Sequence, residues 1–426
     1  MKKKTGKSIR KRRIGFIATR LCGMDGVSLE AKKWAKVFEE EGCKCFYMAG
    51  KLDQKPECSF LVKEAHFRHP DISKIYDVSF GVLKRSKAVT KEIQKLKDKL
   101  KKQIYAFIKK FKLDLLVPEN ALSIPMNIPL GLALTEVISE TGIPAIAHHH
   151  DFFWERKRFL TNAVWDYLNM AFPPHLPSIK HVVINSSACN QLSLRTGISA
   201  TIIPNVMDFE TPPAPLDKYA ATAKRDIGIE DDELFILQPT RIVLRKGIEH
   251  AIELVSRLGM KAKLVITHSS GDEGREYEKR VRYYSSIMNV QTLFSSNIIG
   301  EYRGVTNTGK KIYTLSDIYP QANLITYPSD LEGFGNAFLE AIYYRKPIVV
   351  NNYSIYATDI KPKGFKVVEL EGFVTEQAVR KTRKILQNPK LCKEIVEYNY
   401  KLGKRYYSYS VLQQKLKSLI VECFGQ

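Results

Sequence analysis

Short apolar runs alternate along this chain with stretches in which apolar side chains recur every three or four residues. The runs at 14–18, 43–49, 114–120, 143–147, 181–186 and 200–208 read as strands, and the segments between several of them as helices. The first interval places Leu29, Trp34, Val37 and Phe38 on one helical face, with Ser28 as a candidate cap and Gly42 as a stop. Residues 84–112 carry Val89, Ile93, Leu96, Leu100, Ile104, Ile108 and Phe111 at helical spacing, with lysines elsewhere, and 129–141 predicts another helix. Between 209 and 233 the pattern breaks, with Pro212, Pro213 and Pro215 leading a polar segment, and a linker is predicted there. The alternation then resumes. Strands are predicted at 234–240, 263–268, 297–302, 323–328 and 347–352, with helices at 243–258 and after Glu332, and 375–424 is mostly helical. Strand–helix alternation on both sides of a linker predicts an α/β protein of two doubly wound, Rossmann-like domains. The expected bounds are 1–208, with a basic tail at 1–13, then 234–405, with 406–426 as a terminal helix.

Composition changes this picture only in emphasis. The chain has 426 residues, 44% hydrophobic and 26% charged, enough for two domains of ordinary size. Its net charge of +22 calls for an acidic partner, such as a nucleotide diphosphate, a phosphorylated acceptor, an anionic lipid or a nucleic acid. Nucleic acid is set aside, because no basic stretch is interleaved with aromatics and no RNP, KH or zinc-finger pattern occurs. The basic face of 84–112 leaves room for weak contact with a membrane surface. Seven cysteines without CxxC spacing point to reduced thiols and a cytoplasmic location. Arg20 interrupts the apolar stretch that follows the basic start, which argues against a signal peptide. Nothing in the chain assigns an oligomeric state.

Candidate chemistry falls at the carboxyl ends of the predicted strands, where ligands bind in such sheets. The segment from 327 to 353 is the most informative. A strand ends at Pro328, a turn carries Glu332, Gly333, Phe334 and Gly335, and a helix opens near Asn336. Backbone N–H groups at that helix start favour anions, and Glu332 and Glu340 supply two carboxylates beside them. A ligand that is part phosphate and part polyol suits this arrangement, as a sugar nucleotide is. Arg241 and Lys246, around the start of another helix, add two cations suited to a diphosphate. In the first half, Asp25 and Gly26 form a turn, and Glu119 and Asn120 end a strand. His148, His149, His150 and Asp151 end another. Adjacent residues on a strand alternate sides and no second ligand cluster is spaced for it, so no metal site is expected.

Five pieces together resemble the retaining glycosyltransferases of family 4, which have the GT-B fold. They are the GMDG loop after the first strand, P-x(5)-HD at 144–151, IPNVMD at 203–208, PTRIVLRKG at 239–247 and PSDLEGFGNAFLEA at 328–341. The last contains the family's E-x(7)-E pattern. Two pieces depart from it: PNVMD lacks a glycine and Asp25–Gly26 replaces a glycine pair, which bears on the acceptor.

The resemblance implies two domains facing a central cleft, with the last helix crossing back to the first domain. It implies that Arg241 and Lys246 bind the donor diphosphate and that Glu332 holds the transferred sugar. Glu340 would bind the ribose, and the N–H groups of Phe334, Gly335 and Asn336 would contact sugar and phosphate. His150 would act at the reacting face, with His148 and His149 as rivals, and Asp25 and Gly26 would lie near the acceptor. The reaction implied is transfer of a hexose with retention from a nucleotide sugar, mannose from GDP-mannose. The expected acceptor is a small phosphorylated glycoside such as glucosyl-3-phosphoglycerate, which would make the product a compatible solute. No cofactor is required, although stimulation by a divalent cation remains open. The alternatives are a membrane-surface glycosyltransferase acting on a lipid or polysaccharide, and a non-catalytic protein that binds nucleotide sugars or nucleic acid.

Overall fold

The computed structural model describes residues 12–23, 25–269 and 275–425. Most of the expected basic tail, residues 1–11, lies outside the described residues, as does Met24 of the glycine loop. The chain forms two compact units, residues 1–204 with 412–426, and residues 205–411.

The first unit is built on seven parallel strands: β1 (Arg13–Ile17), β2 (Lys44–Ala49), β3 (Ser59–Leu61), β4 (Leu115–Pro118), β5 (Ala145–His149), β6 (Ile179–Val183) and β7 (Ala200–Ile202). Their spatial order is β3-β2-β1-β4-β5-β6-β7. Ile14, Phe16 and Ile17 of β1 are fully buried, as a central strand covered on both faces requires. The order runs from β1 to one edge, then restarts at β4 on its other side. Between β1 and β4 the connections leave in opposite directions, and a crevice opens at their carboxyl ends.

Helix Lys87–Phe111 buries Ile93, Leu96, Leu100, Ile104, Phe107 and Phe111. Part of its basic face is neutralised. Lys97 and Lys101 both reach Glu136 at 2.8 Å, and Lys99 reaches Glu64 at 2.6 Å. Helix Tyr409–Phe424 buries Leu412, Leu416, Leu419 and Ile420. Its Lys417 pairs with Glu41 at 3.0 Å and its Lys415 donates to the Ile202 carbonyl at 2.9 Å. Among the described residues no helix is long and apolar enough to cross a membrane.

The second unit repeats the plan with six parallel strands: β8 (Leu234–Gln238), β9 (Ala262–Ile266), β10 (Thr292–Phe294), β13 (Leu324–Tyr327), β14 (Ile348–Asn351) and β15 (Val368–Leu370), in the order β10-β9-β8-β13-β14-β15. Two short strands, β11 (Gly304–Val305) and β12 (Lys311–Ile312), form a separate hairpin. The switch of direction here lies between β8 and β13.

Several predicted elements shift. The strand expected at 200–208 stops at Ile202, because Pro204 has no N–H to give a ladder. The one expected from 143 starts at Ala145 for the same reason at Pro144, and it extends through His149. Residues 297–302 are not a sheet strand. Ile299 forms a lone bridge to Tyr313, and the strand is β10 instead. The cap of helix Gly26–Glu40 is Asp25, whose side chain accepts from the Ser28 N–H, rather than Ser28. The helix expected from 243 begins at Ile248, after Gly247 turns the chain with φ +55°.

Candidate active site

In the second unit the two strands flanking the switch deliver opposite charges to one place. Gln238 ends β8 and bonds across to β13, accepting from Thr326 Oγ1 at 2.7 Å and donating to Thr240 at 2.8 Å. The loop that follows β8 carries Arg241, Arg245 and Lys246, and the loop after β13 carries Glu332. Lys246 and Glu332 form an ion pair in which each side chain is only about 10% exposed. Arg245 reaches the other carboxylate oxygen at 3.3 Å and donates to the Leu331 carbonyl at 3.0 Å. Gly247 is needed at the join, since a Cβ there would meet the Pro328 oxygen at 2.5 Å. The ring of Tyr327 lies 5.4 Å below the Lys246 ammonium.

Burial alone would raise the Glu332 pKa, but Lys246 and Arg245 outweigh it and hold the carboxyl below its ordinary range. Burial lowers the Lys246 pKa, with Arg245 and Arg241 adding to that effect and Glu332 opposing it. Burial lowers the pKa of His268, just past β9, and the same cations, Arg241 and Lys246, lower it further. Arg241 itself is exposed.

The turn at 333–335 then feeds helix Asn336–Tyr343. Gly335 has φ +131°, and a Cβ on it would meet the Tyr353 hydroxyl at 2.5 Å. That hydroxyl donates to the Phe334 carbonyl at 2.7 Å and fixes the turn from beneath. Asn336 accepts at its side chain from Asn205 Nδ2 at 2.7 Å, which joins the PNVMD segment to the helix start. Glu340 accepts from the buried Tyr319 hydroxyl at 2.6 Å.

In the first unit, β4 and β5 bring a carboxylate to two of the three histidines. Glu119 follows β4, bridges His148 across the sheet, and is fully buried. One of its oxygens lies 3.0 Å from His148 Nδ1 and 3.2 Å from His150 Nε2. His149 points to the opposite face, 2.9 Å from His181 Nδ1. His148 is stacked under Trp34 with ring centroids 4.1 Å apart, so His150 is the most exposed of the three. The expected alternation therefore holds. It puts the first and third histidines together, and Glu119 joins them. These donor atoms lie within 4.8 Å of one another, close enough for one cation to reach all three.

Burial disfavours the His150 cation, but Glu119 outweighs it, with help from Glu30 and Asp151, and the pKa rises above the ordinary value. His148 is lowered by its burial despite the same carboxylate. Asn120, at φ +55°, accepts from the His150 N–H at 2.8 Å and donates to Asp151 at 2.9 Å. Asp151 in turn pairs with Arg156. Asp25 is occupied as a cap and by Arg20 at 3.2 Å, while Gly26 opens its helix.

Sequence reading missed Arg245, Asn205, His268, Tyr319 and Trp34 as parts of these clusters. Arg245 and Asn205 stood inside quoted motifs and were within reach. Tyr319 had no signal, because the fold alone brings it to a glutamate 21 residues onward.

The glycosyl transferases group 1 family matches residues 220–402, which contain the Lys246–Glu332 pair and Glu340. The chain is 33% identical to mannosylglucosylglycerate synthase of Thermotoga maritima over 95% of its own length and 98% of the relative's. It is 32% identical to mannosylglucosylglycerate synthase of Petrotoga mobilis over 84% and 86%. A glycosyltransferase structure from Rickettsia africae superposes with a TM-score of 0.71 at 15% identity, covering 97% of this chain and 99% of that one. That likeness concerns the fold, and it agrees with the two parallel-sheet domains of the GT-B type described above. With its near full-length relatives, the chain belongs to the group 1 glycosyl transferases.

Proposed function

We propose that this glycosyltransferase moves a mannosyl group, with retention, from a nucleotide sugar to a small glucosylglycerate-type acceptor. The observation that carries the donor half is the buried Lys246–Glu332 pair, delivered by the two strands at the switch point beside a helix start. Lys246 and Arg241 take the donor diphosphate, and the N–H groups of Phe334, Gly335 and Asn336 assist. Glu332 holds the transferred sugar and Glu340 the ribose hydroxyls. His150 acts on the reacting sugar, and Asp25 and Gly26 belong to the acceptor side. GDP-mannose is the donor we favour, and the names of the two relatives support the glycerate acceptor. Seven free cysteines suit a reducing, cytoplasmic setting.

The bond from the sugar C1 to the leaving phosphate oxygen breaks as the acceptor oxygen joins C1 on the same face. The acceptor proton passes to the departing phosphate oxygen. Cations and helix N–H groups already arranged around that phosphate stabilise its growing charge without reorganising at the moment of reaction. No residue is assigned as a covalent nucleophile.

A panel of GDP-mannose, GDP-glucose, UDP-glucose and ADP-glucose against glucosylglycerate, glucosyl-3-phosphoglycerate and glycerate tests this, with products read by NMR. Transfer from GDP-mannose to glucosylglycerate with an α-linked product is expected. An inverted linkage would sink the mechanism. Preference for the phosphorylated acceptor or for another donor would replace that part of the assignment.

A further inference from the structure

We infer that Tyr319 is a positioning residue for the donor nucleotide: its buried hydroxyl aligns the Glu340 carboxylate so that this site selects a ribose over a deoxyribose. The inference rests on the assignment of Glu340 to the ribose hydroxyls. Tyr319 is fully buried and its Oη lies 2.6 Å from Glu340 Oε2, the short distance of a hydroxyl donating to an ionised carboxylate. The torsion that turns a glutamate's carboxylate is broad, so an unheld Glu340 would sample many orientations. A donor fixed in place selects one of them before any ligand arrives, and ligand binding then loses less ordering entropy.

Tyr319 is itself held on several sides. Its ring stacks on Tyr344 with centroids 5.0 Å apart and planes 13° from parallel. The short turn that carries it, Tyr319–Gln321, is anchored by Gln321, whose Nε2 donates to the Ala220 carbonyl at 2.8 Å and to the Asp317 carbonyl at 2.9 Å. Lys346 donates to the Pro320 carbonyl at 2.6 Å from the other side. Burial and the Glu340 charge push the phenol well above its ordinary pKa, so it donates throughout the working range of pH. A purely structural tyrosine needs a partner for its hydroxyl but has no need of the one carboxylate in the helix Asn336–Tyr343. The geometry directs the proton to the group that reads the ligand.

The test is binding of GDP and UDP, each beside its 2′-deoxy and 3′-deoxy forms, by calorimetry to wild type, Tyr319→Phe and Glu340→Gln. Phenylalanine keeps the stacked ring, and melting curves check that each variant is folded. Wild type should bind the better ribonucleotide at least about tenfold more tightly than one of its deoxy forms. In Tyr319→Phe, affinity for the ribonucleotide should fall about 5–30-fold while the deoxy form is nearly unchanged, bringing the ratio toward one. If Glu340→Gln collapses the ratio and a folded Tyr319→Phe keeps it, the positioning role is refuted and the donor assignment stands. If Glu340→Gln keeps the wild-type ratio, Glu340 does not read the ribose and both assignments fall.

Discussion

Replacing Lys246 with methionine separates what the buried ion pair does for stability from what it does for turnover. Removing one partner of a buried pair costs ~3–5 kcal/mol, because the other charge is left uncompensated. Here Arg245 remains 3.3 Å from the second Glu332 oxygen and, being 37% exposed, it compensates only in part. The lower end, ~3 kcal/mol, is therefore expected. In a unit the size of 205–411 each kcal/mol shifts Tm by ~2–4 °C, so Lys246→Met should melt ~6–12 °C below wild type. Combining Lys246→Met with Glu332→Leu removes both charges and fills their volume, a change that is often neutral. The double variant should regain stability to within ~1 kcal/mol of wild type. Turnover at saturating donor should stay down ~10²–10³-fold in both, since each lacks the cation that the proposed mechanism sets against the leaving phosphate. Scanning calorimetry and initial rates on the same preparations read the two effects. A single variant that melts with wild type would show that the pair contributes nothing to the fold. A double variant with wild-type turnover would remove both residues from the chemistry.

Acid should weaken the first unit through His181, whose pKa burial lowers to about 4. The unfolded imidazole takes up its proton near 6.5 and the folded one only near 4. Its contribution, up to ~3 kcal/mol, is thus complete above pH 6.5 and lost as pH falls toward 4. Urea midpoints at pH 7.5, 5.5 and 4.5 should fall less steeply in His181→Asn than in wild type, and parallel curves would refute this. Dialysis against EDTA should leave the melting temperature unchanged, because one Glu119 oxygen already lies 3.0 Å from His148 Nδ1 and 3.2 Å from His150 Nε2 and its charge is balanced there by imidazole. Destabilisation with release of a bound metal would make that triad a metal centre instead. Gly335→Ala should cost ~1–3 kcal/mol from its positive φ and weaken nucleotide binding about tenfold, measured by melting and calorimetry. Unchanged values for both would mean that the turn can relax away from Tyr353.

The parts of the site that were legible in the sequence are those encoded within one strand–turn–helix unit. Glu332, Gly335, Asn336 and Glu340 fall within the nine residues 332–340, so local chemistry alone predicts an anion-binding turn with carboxylates. Strand boundaries were less legible wherever a proline removed a ladder hydrogen bond, as at Pro144 and Pro204. What could not be read was spatial strand order. β8 and β13 are neighbours although four strands, β9 to β12, lie between them in the chain, and only this adjacency sets Lys246 against Glu332, 86 residues onward.

The same limit explains Glu119. On its own it is one acidic residue after an apolar run, and the histidines looked like an adjacent triplet without a partner. The pairing of β4 with β5 puts Glu119 opposite His148, and the pleat then brings His150 to the same face. Burying a carboxylate is costly unless it is paired. A fully buried Glu119 is tolerated because two imidazoles share one of its oxygens, and that sharing raises the His150 pKa while His148 stays depressed. Two histidines of similar sequence context thereby acquire opposite protonation tendencies. The difference arises from register and burial, which no pattern of residue types along the chain expresses.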